Sequence, residues 1–316
     1  MSVAGWITER AATLVPRLSF PAASSLGRGL GAVAWALDAR HRHVAESNLA
    51  RVFPEIPASR RRDIGRRAFE QAGRNVVETL WSSALDDGAL AEIANFEGCE
   101  HVDAALEAGR GALLTTAHFG NWELMGLALA QRGVPLNVIA RPVADPALEG
   151  LLLRLRTRTG ARVIPKADAV RAALKALRDG ESVGILIDQN TVREQAAFVP
   201  FCGRLAATTR LTAQLHLRTG APIIMSFCVP SGDGYRFVFE PLRPGSGAGT
   251  NEEQVEELTA AATAQIEHWV RRHPEAWLWI HDRWRTRPLG EEEMAPQSGV
   301  APHPASGSPA NGASRR

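Results

Sequence analysis

Ala112-Leu-Leu-Thr-Thr-Ala-His118-Phe-Gly-Asn-Trp-Glu123-Leu-Met-Gly126 opens as an apolar, β-prone run after two glycines, Gly109 and Gly111. It closes as the start of an amphipathic helix, with Leu124, Leu127, Ala128 and Gln131 at helical spacing. A turn, Phe119-Gly120-Asn121, joins the two. This strand–turn–helix unit predicts an α/β sheet, in which ligands bind beyond the carboxyl ends of the strands. His118 and Glu123 stand at that edge, and the turn brings them back toward each other.

A neutral imidazole is a good base near pH 7, and a better one when a carboxylate holds its tautomer. Glu123 is the expected carboxylate for His118. No Gly-x-Ser-x-Gly elbow supplies a nucleophile anywhere in the chain. A His–acid pair without a nucleophile of its own suits direct transfer, in which a hydroxyl on a bound acceptor attacks an acyl donor. The blander alternatives are a satisfied strand-end histidine and a helix N-terminal acid favoured by the macrodipole, with Asn121 as N-cap. The spacing H-x4-E recurs at His41 and Glu46, but in a charged run with neither a preceding strand nor a glycine turn. Context separates the two matches.

Working outward, the pattern alternates from about Ile93 to Pro241. Strands are expected at Ala112–Ala117, Leu136–Ala140, Arg162–Ile164, Val183–Ile187, Pro222–Cys228 and Tyr235–Glu240. Helices are expected at Trp122–Arg132, Pro146–Thr159, Ala167–Arg178 and Thr209–Thr219. This argues a mixed, mostly parallel sheet flanked by helices. The last two strands, joined by Pro230-Ser-Gly-Asp-Gly234, read as an antiparallel hairpin. Residues 1–92 are expected to form a helical, membrane-associated region, 93–288 the α/β domain, and 289–316 a disordered tail rich in Pro, Gly, Ser and Ala. In the first 37 residues Arg10, Arg17, Arg28, Pro16 and Pro21 interrupt the apolar run, so none reaches the ~20 residues of a clear spanning helix. Trp6, Leu14, Leu18, Phe20, Leu26, Leu30, Val33 and Trp35, with arginines between, suit a helix lying in the membrane interface; the alternative is an ordinary core helix.

Composition bounds the partners. The chain has 316 residues, 45% hydrophobic and 22% charged, which is enough for a sizeable core and excludes global disorder. A formal charge of +2 demands no polyanion, so no nucleic-acid partner is expected. Cys99, Cys202 and Cys228 form no C-x-x-C. Neither zinc nor redox chemistry is indicated, and a reducing compartment is implied.

His118-Phe-Gly-Asn-Trp-Glu123 resembles the signature of the bacterial lipid A late acyltransferases (lauroyl and myristoyl transferases), within the lysophospholipid acyltransferase superfamily. Further matches follow collinearly: Arg141-Pro142, Leu151 to Gly160 with its Arg-Leu-Arg core, Asp188-Gln189, Phe198-Val-Pro-Phe201 with Ala207-Thr-Thr209, and Trp277-Leu-Trp-Ile-His-Asp-Arg-Trp284. Together they span roughly Ala39 to Pro288. The resemblance implies a glycerolipid acyltransferase-like fold and transfer of a fatty acyl group to a glycolipid hydroxyl. The donor would be a thioester of acyl carrier protein or coenzyme A, and no metal or other cofactor is required. It implies the cytoplasmic face of a bacterial inner membrane. Arg156 matches a functionally required arginine of the family, and Asp188 its Asp-Gln element.

The expected site therefore comprises His118 as base, Glu123 orienting it, Arg156 on oxyanion or phosphate, and Asp188 in support. Arg141 and the Gly120–Asn121 turn are expected to bind substrate, the turn through its backbone N–H groups. Asp188 could instead be a turn residue. Trp277, Trp279 and Trp284 with Arg283, Arg285 and Arg287 could seat the protein at lipid headgroups or pack in the core. Rival readings are a related acyltransferase acting on a phosphatidylinositol mannoside or a lysophospholipid, a metal-dependent hydrolase using His118, Glu123 and Asp188, and a non-catalytic lipid-binding protein.

Overall fold

The computed structural model describes residues 10–84, 90, 93–143, 145–243 and 247–291. The expectations for Trp6 and for the tail from residue 292 lie outside the described residues. Three helices come first: α1 (Phe20–Leu37), α2 (Ala39–Val52) and α3 (Ala58–Trp81). The strands are β1 (Ala94–Glu97), β2 (Ala112–Thr116), β3 (Leu136–Ala140), β4 (Arg162–Pro165), β5 (Ser182–Leu186), β6 (Ala196–Phe201), β7 (Arg204–Thr209), β8 (Ile223–Ser231) and β9 (Gly234–Pro241). Between and after them run α4 (Glu100–Glu107), α5 (Trp122–Gln131), α6 (Pro146–Arg158), α7 (Ala169–Arg178), α8 (Leu211–Thr219) and α9 (Asn251–Arg272).

Seven strands form one sheet in the order β1-β9-β8-β2-β5-β3-β4. β8, β2, β5, β3 and β4 run parallel. β9 returns antiparallel to β8 as the expected hairpin, and β1 lies parallel to β9. Each face is covered, because successive strand residues point to opposite sides. Leu113, Ile185 and Phe227 pack with residues of α7, α8 and α9, including Leu177, Leu215 and Trp269. Leu114, Leu136 and Phe237 pack with Val102 of α4 and Leu124 and Leu127 of α5. The mixed, mostly parallel sheet expected from the alternation is therefore present. The pattern missed β1, which is four residues long and has only Ala94 buried. It also missed the separate β6–β7 ribbon, whose short strands carry Pro200 and a pair of alanines.

α1 and α3 meet backbone to backbone. A Cβ at Gly31 would lie 2.2 Å from the Phe69 carbonyl oxygen, and one at Gly73 would lie 2.2 Å from that of Gly27. Only glycines permit this approach. The opposite face of α1 carries Leu26, Leu30, Val33 and Leu37, all exposed and one turn apart. Phe20, by contrast, is buried and packs tilted against Trp81, with ring centroids 5.0 Å apart. Trp35 packs edge-on to Phe69. α1 is thus a core helix on one side and an apolar surface on the other. Among the described residues no helix is long and apolar enough to cross a membrane.

The glycine contact makes an internal contrast. Gly31→Val is expected to force the helices apart and cost about 1–3 kcal/mol or more. Gly29→Ala, with nothing within 4 Å of its Cβ, is expected to stabilise by roughly 0.5–1 kcal/mol through helix propensity. Thermal denaturation of the two variants beside the parent checks both signs.

Candidate active site

β2 and β5 are adjacent and in register, Thr116 opposite Leu186. Two residues further on, the same alignment brings His118 to Asp188. The His118 ring Nδ1 lies 2.8 Å from Asp188 Oδ1, and the His118 backbone N–H donates to Oδ2 at 3.0 Å. Trp277 Nε1 also donates to Oδ2, at 2.8 Å. Burial alone would raise the Asp188 carboxyl. The charge and hydrogen bonds of His118 and the Trp277 indole outweigh it and bring the carboxyl down to about 2. An ionised Asp188 only accepts, so Nδ1 carries the ring proton and Nε2 is the free base. Gln189 Nε2 sits 3.3 Å from that nitrogen. The ring packs edge-on to Trp122, centroids 4.8 Å apart, and its side chain is 20% exposed.

Glu123 is not the carboxylate that holds the ring. It is bound by Arg156 through two hydrogen bonds, Nε at 2.9 Å and Nη2 to the other oxygen. A charged guanidinium fork outcompetes a neutral imidazole for a carboxylate, and α6 lies across the first turn of α5. Burial opposes the Arg156 charge, but the hydrogen bonds and charge of Glu123 outweigh it and raise its pKa. Nη1 of Arg156 has no partner among the described residues.

The Gly120–Asn121 turn is also corrected. Its N–H groups are engaged within the fold: Phe119 to Ala117 O at 2.7 Å, Gly120 to Ala276 O at 2.8 Å, Asn121 to Cys228 Sγ at 3.1 Å. None is left for a substrate oxyanion. Gly120 has φ +57°, and a Cβ there would fall 1.7 Å from the Cys228 carbonyl oxygen, so no other residue fits. Asn121 is fully buried and caps α5 by accepting from Leu124 N at 3.2 Å. Its amide donates to Glu78 Oε2 at 3.2 Å. The wholly buried Glu78 also accepts from Ser24 Oγ (2.6 Å), Arg74 Nε (2.9 Å) and the Tyr235 hydroxyl. Asn75 donates to Gly120 O at 2.6 Å. The turn is anchored from beneath by α1, α3 and β9.

Segment 276–278 lies alongside the turn, Leu278 N donating to His118 O at 3.0 Å. Trp277, Trp279 and Trp284 are buried, as is Arg283. For these four the packing alternative holds, whereas Arg285 is exposed and Arg287 is partly buried. Arg283 donates to Ala207 O at 2.7 Å and Gln189 O at 3.3 Å, fixing the loop after Asp188. His281, pushed down to about 4 chiefly by burial, accepts from Asn190 N at 2.9 Å. At the rival H-x4-E match, His41 pairs with Asp38 and Glu46 with Arg62, on the surface of the helical region.

His118, Glu123, Arg141 and Arg156 open onto one cavity of about 430 Å³. Its inner walls are apolar: Leu114, Met125, Leu129, Leu136, Val138 and Leu186, with Gly126 and Gly184 keeping the space between α5 and the sheet clear. Its mouth also includes Gln189, Thr209 and Lys166. Asp188 sits behind His118, outside the lining. The sequence pattern offers no site role for Lys166, places Gln189 only beside Asp188 in a shared motif, and gives Trp277 a headgroup seat or a core place rather than a hydrogen bond to Asp188. Gln189 had a signal, its adjacency to a strand-end acid; Trp277 had none short of the fold.

The arrangement is a base with its tautomer fixed, a paired arginine, and a greasy pocket sized for an alkyl chain. The sequence profile described as bacterial lipid A biosynthesis acyltransferase matches residues 2–286. The chain belongs to this family. The lipid A biosynthesis palmitoleoyltransferase of Escherichia coli K12 is 30% identical over 283 residues, 88% of this chain and 90% of that protein. The lauroyltransferase of the same strain is 28% identical over 288 residues, 90% and 92%. A phosphatidylinositol mannoside acyltransferase of Mycolicibacterium smegmatis is 27% identical over 242 residues, 75% and 77%. The protein is accordingly an enzyme, an acyltransferase of the lipid A type.

The Asp188 carboxyl, ordinarily at 3.8 and here held at about 2, ties stability to pH. Its contribution is full above the unfolded value and is lost as pH falls through about 2. Asp188→Asn is expected to lower stability at pH 7 by on the order of 2 kcal/mol, the gap from the parent closing toward pH 2. Urea unfolding across that range reads it, and a gap independent of pH would contradict the ionised pair.

Proposed function

We propose that the protein moves a fatty acyl group from a thioester of acyl carrier protein or coenzyme A to a hydroxyl of a lipid A-type glycolipid. The reading rests above all on one observation: the His118 base stands at the mouth of an apolar cavity. The acyl chain of the donor lies between α5 and the sheet, which puts its thioester carbonyl at the polar mouth. His118 Nε2 takes the proton of the acceptor hydroxyl, and the oxygen attacks the carbonyl carbon. Asp188 stabilises the imidazolium that forms. As the tetrahedral adduct collapses, the C–S bond breaks and the imidazolium returns its proton to the thiol. Arg156, held in place by Glu123, directs Nη1 at the developing oxyanion. No covalent enzyme intermediate forms and no cofactor is called on.

The same reading sets the enzyme against the cytoplasmic face of a bacterial inner membrane. The row Leu26, Leu30, Val33 and Leu37 enters the interface, with Arg17, Arg28 and Arg40 among the headgroups. A phosphatidylinositol mannoside acceptor is the second reading, favoured by the mycobacterial relatives. Mass spectrometry of lipids from a deletion strain separates the two, by which glycolipid loses one acyl chain.

His118→Ala is expected to lower acyl transfer from labelled donor to lipid extract by roughly 10²- to 10⁴-fold in a protein that still folds. Near-parent activity in that variant removes the mechanism. Leu30→Glu with Val33→Glu is expected to reduce co-sedimentation with phosphatidylethanolamine–phosphatidylglycerol vesicles at least about tenfold, since each apolar side chain is worth about 1.5–3 kcal/mol of burial. Unchanged sedimentation would detach α1 from the membrane.

A further inference from the structure

β3 and β4 are parallel neighbours with Ala140 opposite Pro165. The next residue of each strand is a cation, Arg141 and Lys166, so the register sets the two side by side beyond the carboxyl edge of the sheet. Both line the cavity that holds His118. Among the described residues neither has a hydrogen-bond or ion-pair partner. The chain has two lysines, and the other, Lys175, is paired with Asp179. Arg156, on the same cavity, is matched by Glu123. The nearby Glu149 carboxylate is taken by Val143 N at 2.8 Å. Burial first, and then the charge of Arg141, pull the Lys166 ammonium below its ordinary value, so the two cations act on each other across the mouth.

We propose that Arg141 and Lys166 form a phosphate-ester subsite that orients one of the two substrates at the cavity mouth. Strand spacing puts Arg141 about 10 Å and Lys166 about 14 Å along the sheet edge from His118. The phosphate thus docks apart from the reacting carbonyl and hydroxyl, within the reach of a single substrate molecule. The planar fork of the arginine takes two phosphate oxygens, and the ammonium adds a point charge. The inference builds on the acyl-transfer reading, in which both a phosphopantetheine-linked donor and a phosphorylated glycolipid acceptor carry such a group.

The test uses the full chain and two substrate pairs that differ only by the phosphate. The donors are acyl-4′-phosphopantetheine and acyl-pantetheine; the acceptors are a phosphorylated diglucosamine lipid and its dephosphorylated counterpart. The parent is expected to prefer the phosphorylated member of one pair, and that pair names the source. In Lys166→Ala and Arg141→Ala the preference in kcat/KM is expected to fall at least about tenfold, as loss of a charge-assisted hydrogen bond implies, chiefly through KM. Lys166→Arg is expected to keep most of it. Preference unchanged in both pairs overturns the subsite, as does an arginine variant that loses it as fully as alanine. If no pair supports transfer, the functional reading has failed instead. Phosphorus NMR with 4′-phosphopantetheine and glucosamine 1-phosphate then reads the subsite alone: line broadening lost in Lys166→Ala supports it, and equal broadening overturns it.

Discussion

The alignment of β2 with β5 is the constraint on which the site depends. Because Thr116 faces Leu186 across parallel strands, the residues two steps beyond each strand are brought together whatever their chemistry. Here they are a histidine and an aspartate. A slip of one residue would turn each side chain to the opposite face. The register is held by burial on both faces, where Leu113 and Leu114 belong to separate cores. The His118–Asp188 contact thus starts from packing along the centre of the sheet.

What the register starts, the buried polar layer completes. Gly120 takes a conformation and a proximity open to glycine alone, and its carbonyl is held by Asn75 of α3. Asn121 hangs on Glu78, which in turn gathers Ser24 of α1, Arg74 of α3 and Tyr235 of β9. A buried carboxylate with several donors is costly to desolvate and costlier to break. It therefore couples α1 and α3 to the turn after His118. The inner face of the helical region forms the floor of the turn that follows His118. One element, α1, thus carries an exposed apolar row on its outer face and a link to the turn after His118 on its inner face.

Much of this was legible in the sequence, and the gaps have physical causes. The strand–turn–helix around His118 stood out because a run of apolar β-formers changes to helical spacing across a glycine. The parallel strands at Leu136, Arg162 and Val183 stand out because short β-prone runs alternate with stretches of helical spacing. β1 is too short and too exposed to leave an alternating pattern, and β6–β7 carries no strong periodicity. The partner of His118 was misread because spacing along the chain favours Glu123, five positions on, over Asp188, seventy positions on. Contact across a sheet depends on register, which a single sequence does not display. Trp277 faced the same difficulty. Its place against Asp188 follows from the return of a segment after α9, and its amphipathic character fitted a headgroup seat equally well. Lys166 was invisible until strand neighbours were known, because its meaning lies in standing next to Arg141.

The claim that carries the account is that the His118 ring is held through Nδ1 by an ionised Asp188, which leaves Nε2 as the free base. Nitrogen-edited NMR of the ring reads this directly. A low-field proton on Nδ1 of His118, present in the parent and in Glu123→Gln and absent in Asp188→Asn, is the predicted result. A ring proton on Nε2, or a low-field resonance that survives Asp188→Asn and vanishes in Glu123→Gln, would contradict it.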